Sequence, residues 1–102
     1  MQALYNSLEE VRQRIDDIDR SLVYLLAQRG DLVKQAATFK KTSDEVRAPA
    51  RVEQVIKKAL AIAAEAGAPA PVVEQVYRAM ISAFIAEEMS AHARIVEASP
   101  KP

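Results

Sequence analysis

The sequence predicts an all-α chain with three helices, the first of them long. Only five prolines and two glycines interrupt its 102 residues, and the prolines divide the chain into three segments. In each segment apolar residues recur at spacings of three and four, which is the period of an amphipathic helix. One domain is the expected number for this length. We place it at residues 1–97 and expect a disordered tail at residues 98–102.

The first helix is predicted from about Leu4 to Lys41. Ser7 and Glu10 have the spacing of a capping box near its start. Its apolar positions keep a heptad spacing over more than four repeats, which indicates a seam that packs against other helices. The seam consists of Leu8, Val11, Ile15, Ile18, Leu22, Leu25, Arg29, Leu32, Ala36 and Phe39.

Proline and glycine mark the other two helices. Pro49 suits the first turn of the second helix, and Gly67 suits its C-terminal cap. The third helix is predicted to begin near Pro71. The polar stretch KTSDEVRA, residues 41–48, is expected to be a mobile loop between the first two helices.

The length of the first helix predicts that two chains associate. A helix of ~35 residues is about 50 Å long, whereas a compact domain of this size has a radius of gyration of about 13 Å. Two shorter helices cannot cover both ends of such a rod, so a second copy is the simplest source of the missing contacts. We therefore expect an intertwined homodimer of six helices.

Composition argues against several classes of function. Lysine plus arginine equals aspartate plus glutamate at 14 each, so there is no electrostatic reason to expect nucleic acid or an anionic membrane as a partner. The absence of cysteine and the single histidine argue against thiolate catalysis and against Cys/His metal sites. No apolar run approaches the ~20 residues that span a bilayer, and the start does not have the pattern of a secretory signal. A cytoplasmic protein is expected.

Two charged residues occupy positions that the apolar pattern assigns to the core. Arg29 lies in the seam of the first helix, and Glu88 follows Ile81 by seven residues and Phe84 by four. A buried charge is costly unless it is paired and hydrogen-bonded. Arg29 and Glu88 therefore form either a structural salt bridge with each other or part of a binding site.

Further cations lie near the seam. Arg12 and Lys40 are four heptads apart on one flank of the first helix, and Arg51 opens the second helix. Each alone is most simply a solvated surface charge. Together with Arg29 they could line a cavity that binds a small dianion, because arginine binds carboxylates through two parallel hydrogen bonds. Such a site has little equipment for nucleophilic or metal chemistry, but it could catalyse a reaction through shape and electrostatics.

Four stretches, LEEVRQRIDDID, LLAQRGDLVKQAATFKK, RAPARVEQV and FIAEEM, together resemble the all-helical chorismate mutase family. The FKK…APARV link and FIAEE are similar to the branch that includes the isochorismate pyruvate-lyases. The resemblance covers residues 8–92. It implies an intertwined dimer with two equivalent sites, a small dicarboxylate substrate and no cofactor.

The resemblance also implies a role for each candidate residue. Arg12 matches an arginine that reaches into the site of the partner subunit, and Arg29 matches one that binds a substrate carboxylate. Lys40 and Glu88 match the pair that contacts the ether oxygen between the ring and the enolpyruvyl group, although most relatives have glutamine at the position of Glu88. Arg51 matches the arginine at the start of the second helix.

Three departures from the mutase pattern resemble the lyase branch. Val52 stands where mutases carry an acid that contacts the ring hydroxyl of the substrate. The APA run at residues 48–50 replaces an acid just ahead of Arg51, and Phe84 stands where a mutase serine is expected. These departures leave room for isochorismate as the substrate.

Three functions remain open. The favoured one is chorismate mutase, in which the C–O bond of chorismate breaks as a C–C bond forms to give prephenate, with Lys40 and protonated Glu88 stabilising the ether oxygen. The second is isochorismate pyruvate-lyase, in which the same site transfers hydrogen to the enolpyruvyl group and releases salicylate and pyruvate. The third is a non-catalytic helical dimer that acts as an interaction module, in which the seam charges are structural.

Overall fold

The computed structural model describes residues 4–98, except for the side chains of residue 92 and residues 95–98. This part of the chain contains no strand, which confirms the predicted all-α class. None of its helices is long and apolar enough to cross a membrane. Residues 99–102 of the predicted tail lie outside the described residues, and the domain limit at residue 97 stays a prediction. The elements are α1 (Leu8–Ala37), α2 (Ser43–Arg47), α3 (Pro49–Ala66) and α4 (Ala70–Ala98).

The first helix is shorter than predicted at both ends. It begins at Leu8 because the Ser7 hydroxyl caps it, accepting a hydrogen bond from the Glu10 N–H at 3.1 Å. The Glu10 carboxylate accepts a bond from the Asn6 N–H at 2.8 Å, one residue earlier than in the standard capping box. The helix ends at Ala37. The predicted capping residues are thus confirmed, while the helical stretch they start is shorter.

The chain divides into two compact units, with the boundary between Leu32 and Val33 inside α1. The first unit carries most of the α1 seam. Its large apolar seam residues are all exposed, from 37% for Val11 to 64% for Leu32. The fold of one chain therefore leaves this apolar face in contact with water.

The second unit is built on the packing of α3 against α4, with α2 also packed on α4. On α3 the buried residues are Ile56, Ala59 and Ala63, and on α4 Ile81 is buried. The three α3 residues recur at spacings of three and four, so they share one face of the helix. Gly67 caps α3 with a φ of 72°, in the left-handed region that favours glycine, as predicted.

The predicted mobile loop at residues 41–48 is wrong, because Ser43–Arg47 forms α2. The Thr42 hydroxyl accepts a hydrogen bond from the Glu45 N–H at 3.1 Å, and the Glu45 carboxylate accepts one from the Lys41 N–H. Val46 is only 2% exposed. A helix cap and one buried apolar side chain therefore order a segment whose polar composition suggested a loop.

Ala48 joins α2 directly to α3. Its φ of 37° and ψ of 62° lie in the left-handed region, which costs a residue with a side chain about 1–2 kcal/mol. The Ala48 N–H donates to the Asp44 carbonyl at 2.9 Å, and the Ala48 carbonyl accepts from the Val52 N–H at 3.0 Å. One residue thus ends α2 and starts α3, the helix that carries Arg51 in its first turn.

We predict that Val46→Ala lowers the free energy of unfolding by about 2 kcal/mol, because two buried methyl groups are lost. Urea denaturation followed by circular dichroism measures this change. Val72→Ala is the matched control, since Val72 is 56% exposed, and it should change the stability by less than about 0.5 kcal/mol. Equal effects of the two substitutions would contradict an ordered, buried α2.

Candidate functional site

A hydrogen-bonded ion pair between Lys40 and Glu88 is the main polar feature of the second unit. The Lys40 ammonium donates to Glu88 Oε2 at 2.5 Å. The Glu88 side chain is 7% exposed and that of Lys40 is 25% exposed. A carboxylate buried to this degree needs a cationic or hydrogen-bonding partner to stay ionised. Lys40 is such a partner, from 48 residues away in the sequence.

The helical period explains why Glu88 is buried. It lies seven residues after Ile81 and four after Phe84 on α4, so the three residues share one face. Ile81 is buried and Phe84 is partly buried, and Glu88 continues their stripe. The prediction that Glu88 occupies a core position is confirmed.

Local hydrogen bonds on both sides position Lys40. On the N-terminal side, the backbone N–H of Lys40 donates to the Ala37 carbonyl at 3.3 Å, in the turn that ends α1. After it, the Lys41 N–H donates to the carboxylate of Glu45, which lies in the first turn of α2. The backbone at Lys40 is therefore held between two helix ends.

The predicted residues Arg51 and Val52 lie in the first turn of α3. Arg51 is exposed, and its Nη1 donates to Gln54 Oε1 at 2.8 Å. A guanidinium has five N–H donors, so this bond leaves capacity for a carboxylate. Val52 is partly buried.

Arg12 and Arg29 lie on α1, in the first unit. Arg12 is exposed and Arg29 is partly buried. The structure thus brings Lys40 and Glu88 together. Convergence of the three arginines on that pair stays a prediction, and so does the salt bridge between Arg29 and Glu88.

A second charged cluster, which was not predicted from the sequence, joins α3 to α4. Two nitrogens of the Arg78 guanidinium donate to the two carboxylate oxygens of Glu53, at 2.9 and 3.1 Å. Arg78 Nε donates to Glu74 at 3.0 Å. The contact between Glu74 and Arg78 could have been predicted from the sequence, because residues four apart on a helix lie side by side. Glu53 is 25 residues from Arg78, so the contact between them forms only because α3 packs against α4.

The cluster shifts the pKa values of its members. The hydrogen bond from Arg78, aided by the charge of the guanidinium, lowers the pKa of Glu53 below its ordinary value of 4.5. The hydrogen bonds to Glu53 and Glu74 raise the pKa of Arg78. Glu53 and Arg78 therefore stay ionised at neutral pH.

The Lys40–Glu88 pair can stabilise an oxygen atom on which negative charge develops. The lysine ammonium has three N–H donors, and a glutamate carboxyl donates one hydrogen bond while it is protonated. Donors fixed before the reaction stabilise such a charge without having to reorganise.

Comparisons with known proteins identify the family of the chain. Residues 11–89 match the model of the family described as chorismate mutase type II. The chain is also 37% identical over 82 residues to the isochorismate pyruvate lyase of Pseudomonas aeruginosa, and this alignment covers 80% of the chain and 81% of that protein. All six predicted site residues lie within the matched range of the family. The chain therefore belongs to the chorismate mutase type II family.

Proposed function

We propose that this chain converts chorismate to prephenate, with isochorismate pyruvate-lyase activity as a second candidate for the same site. The buried Lys40–Glu88 pair is the observation that carries the proposal. These two residues match the family positions that contact the ether oxygen of the substrate. Both reactions break the bond between the ring and that oxygen, so both require stabilisation of the charge that develops there.

In the proposed mutase reaction the site holds the substrate in its compact conformer. Arg29 and Arg51 bind substrate carboxylates, and Arg12 reaches the site of the partner subunit. The ring C–O bond breaks while a C–C bond forms between the enolpyruvyl methylene and the ring. No atom is gained or lost, so the step needs no nucleophile and no cofactor. Positioning and charge stabilisation by Lys40 and protonated Glu88 provide the rate acceleration.

Val52 supports the second candidate. Mutases carry an acid at this position that contacts the ring hydroxyl of chorismate, and a valine side chain cannot form that hydrogen bond. Isochorismate carries its hydroxyl on a different ring carbon. The similarity to a protein named isochorismate pyruvate lyase supports the same candidate. In that reaction a ring hydrogen moves to the enolpyruvyl methylene as the C–O bond breaks, which gives salicylate and pyruvate.

Product analysis tests the proposal. Purified protein is incubated with chorismate or isochorismate in separate reactions, and the products are separated by liquid chromatography. We expect prephenate from chorismate, and a loss of at least about 100-fold in Lys40→Met, since one donor to the developing charge is removed. Lys41→Met is the matched control, because it removes a neighbouring exposed lysine.

Faster formation of salicylate and pyruvate from isochorismate would assign the lyase as the main activity. Turnover of neither substrate would contradict both enzyme candidates. It would favour the non-catalytic interaction module, with Lys40 and Glu88 as a structural ion pair.

Glu88 predicts a characteristic pH dependence under either activity. A carboxyl group donates a hydrogen bond only while it is protonated, whereas an amide donates at every pH. We therefore expect the kcat/KM of the wild type to fall as the pH rises, and Glu88→Gln to flatten this fall. Glu87→Gln, at an exposed neighbouring position, should keep the wild-type profile. Identical profiles for the wild type and Glu88→Gln would show that Glu88 is not the donor.

The proposal includes a homodimer built on α1. The exposed apolar seam of residues 8–32 supports it, because an exposed apolar face of this length usually marks an interface. Its heptad spacing suits another helix of the same pattern, which a second copy provides. A shallow groove runs along the same face; it is lined by Leu4, Tyr5, Val11, Arg14, Asp17, Ile18, Ser21, Leu22 and Leu25.

We expect light scattering to give twice the chain mass of 11.2 kDa. Ile18→Asp should weaken the dimer, because Ile18 is a seam residue with 60% exposure in the single chain. Gln13→Asp introduces the same charge outside the seam and serves as the control. A wild-type mass of one chain at assay concentrations would contradict the dimer.

A further inference from the structure

We propose that Glu53 and Arg78 are positioning residues for Arg51, an inference that rests on the proposed role of Arg51 in binding a substrate carboxylate. Together with Glu74 they form a cluster that we call the charge clamp. The clamp joins α3 to α4 at a point two residues beyond Arg51. Glu53 and Arg78 would act on the substrate only through the direction in which Arg51 points.

The clamp has a defined geometry. Glu74 lies one turn before Arg78 on α4 and accepts from its Nε at 3.0 Å, which orients the guanidinium on its own helix. The other two nitrogens donate to both oxygens of Glu53, at 2.9 and 3.1 Å. A two-bond contact of this kind restricts direction as well as distance. The position of Glu53 relative to α4 is therefore fixed more tightly than a single bond would allow.

The clamp acts together with the buried face of α3 in setting the rotation of this helix about its axis. Successive helical residues are about 100° apart, and the buried face of α3 is formed by Ile56, Ala59 and Ala63. Glu53 lies about 90° to one side of this face, and Arg51 lies about 110° to the other side. Any rotation that would redirect Arg51 also moves Glu53 and breaks its two bonds with Arg78.

Few other side chains fix the start of α3. Its N-cap residue, Ala48, makes no capping hydrogen bond through its side chain, and the first turn has no acidic residue. Gln54 accepts from Arg51 Nη1 at 2.8 Å, but both residues belong to α3 and rotate with it. Gln54 can therefore orient the guanidinium on the helix, whereas the clamp adds a directional contact with α4 to the apolar packing of α3.

The contact between Glu53 and Arg78 persists at mildly acidic pH. Arg78 lowers the pKa of Glu53 below 4.5 by its hydrogen bonds. A lowered pKa means that this interaction stabilises the fold fully above about pH 4.5 and is lost as the pH falls through the lower folded-state value. Glu53 faces Arg78, whose other acidic partner is Glu74. At mildly acidic pH the clamp is thus still formed.

A double-mutant cycle with Arg51 tests the inference. We expect Glu53→Gln and Arg78→Met each to raise KM by about tenfold with kcat changed by less than about twofold, as for the loss of uniform binding. Glu65→Gln, an exposed acid far from Arg51 on α3, is the control and should leave KM unchanged. In an Arg51→Ala background Glu53→Gln should have no further effect, because its effect passes through Arg51. Calorimetric binding of prephenate replaces KM if Arg51→Ala is too slow to assay.

If Glu53→Gln raised KM by the same factor in the wild-type and Arg51→Ala backgrounds, the inference would be overturned, because Glu53 would then have a general structural role. Amide hydrogen exchange gives a readout that does not require turnover. In the full-length protein Glu53→Gln should speed exchange at residues 52–57 relative to Glu65→Gln. Unchanged exchange would overturn the positioning inference alone, whereas a wild type that turns over neither substrate would overturn the proposed function.

Discussion

One electrostatic constraint shapes the second unit: a carboxylate buried between helices is costly unless a cation lies beside it. Glu88 is on the same stripe of α4 as the buried Ile81, and its side chain is almost inaccessible to water. The cation comes from Lys40, outside any helix, so the backbone there has to be held in place. The end of α1 and the cap of α2 hold it. The ordered backbone of residues 38–48 thus places the Lys40 ammonium beside the Glu88 carboxylate.

The same pair links stability to the proposed chemistry. In the structure Lys40 donates to Glu88, whereas in the proposed reaction both residues face the ether oxygen of the substrate. Binding would then exchange one hydrogen bond between them for two hydrogen bonds to the substrate, and Glu88 would have to carry a proton to donate. A carboxyl group at this position makes that exchange dependent on pH, which an amide would not.

Local signals in the sequence predicted the long helices, both ends of α3 and the start of α4, whereas α1 is shorter than predicted at both ends. The period of three and four residues, Pro49, Gly67 and the Ser7 cap act within one or two turns, so each can be recognised without knowledge of the fold. The error at α2 came from giving polar composition more weight than the spacing of Thr42 and Glu45, which is a helix-start pattern. The period alone also placed Glu88 in the core. The contact of Glu88 with Lys40 spans 48 residues, and that of Glu53 with Arg78 spans 25 residues. The sequence did not predict the second contact, because packing against α4 brings these residues together.

The two charged clusters of the second unit act in different surroundings and so have different effects. Glu53 and Arg78 are largely in water, where the free energy of an ion pair is small and is screened by salt. Their two-bond geometry provides direction, and we infer that it restricts the rotation of α3 in addition to the apolar packing against α4. The Glu88 carboxylate is shielded from water, so loss of Lys40 removes an ion pair that compensates its desolvation. The exposed clamp can therefore affect the direction of Arg51 with little effect on the stability of the fold. The side chains of Lys40 and Glu88, in contrast, contribute both to the fold and to the proposed reaction.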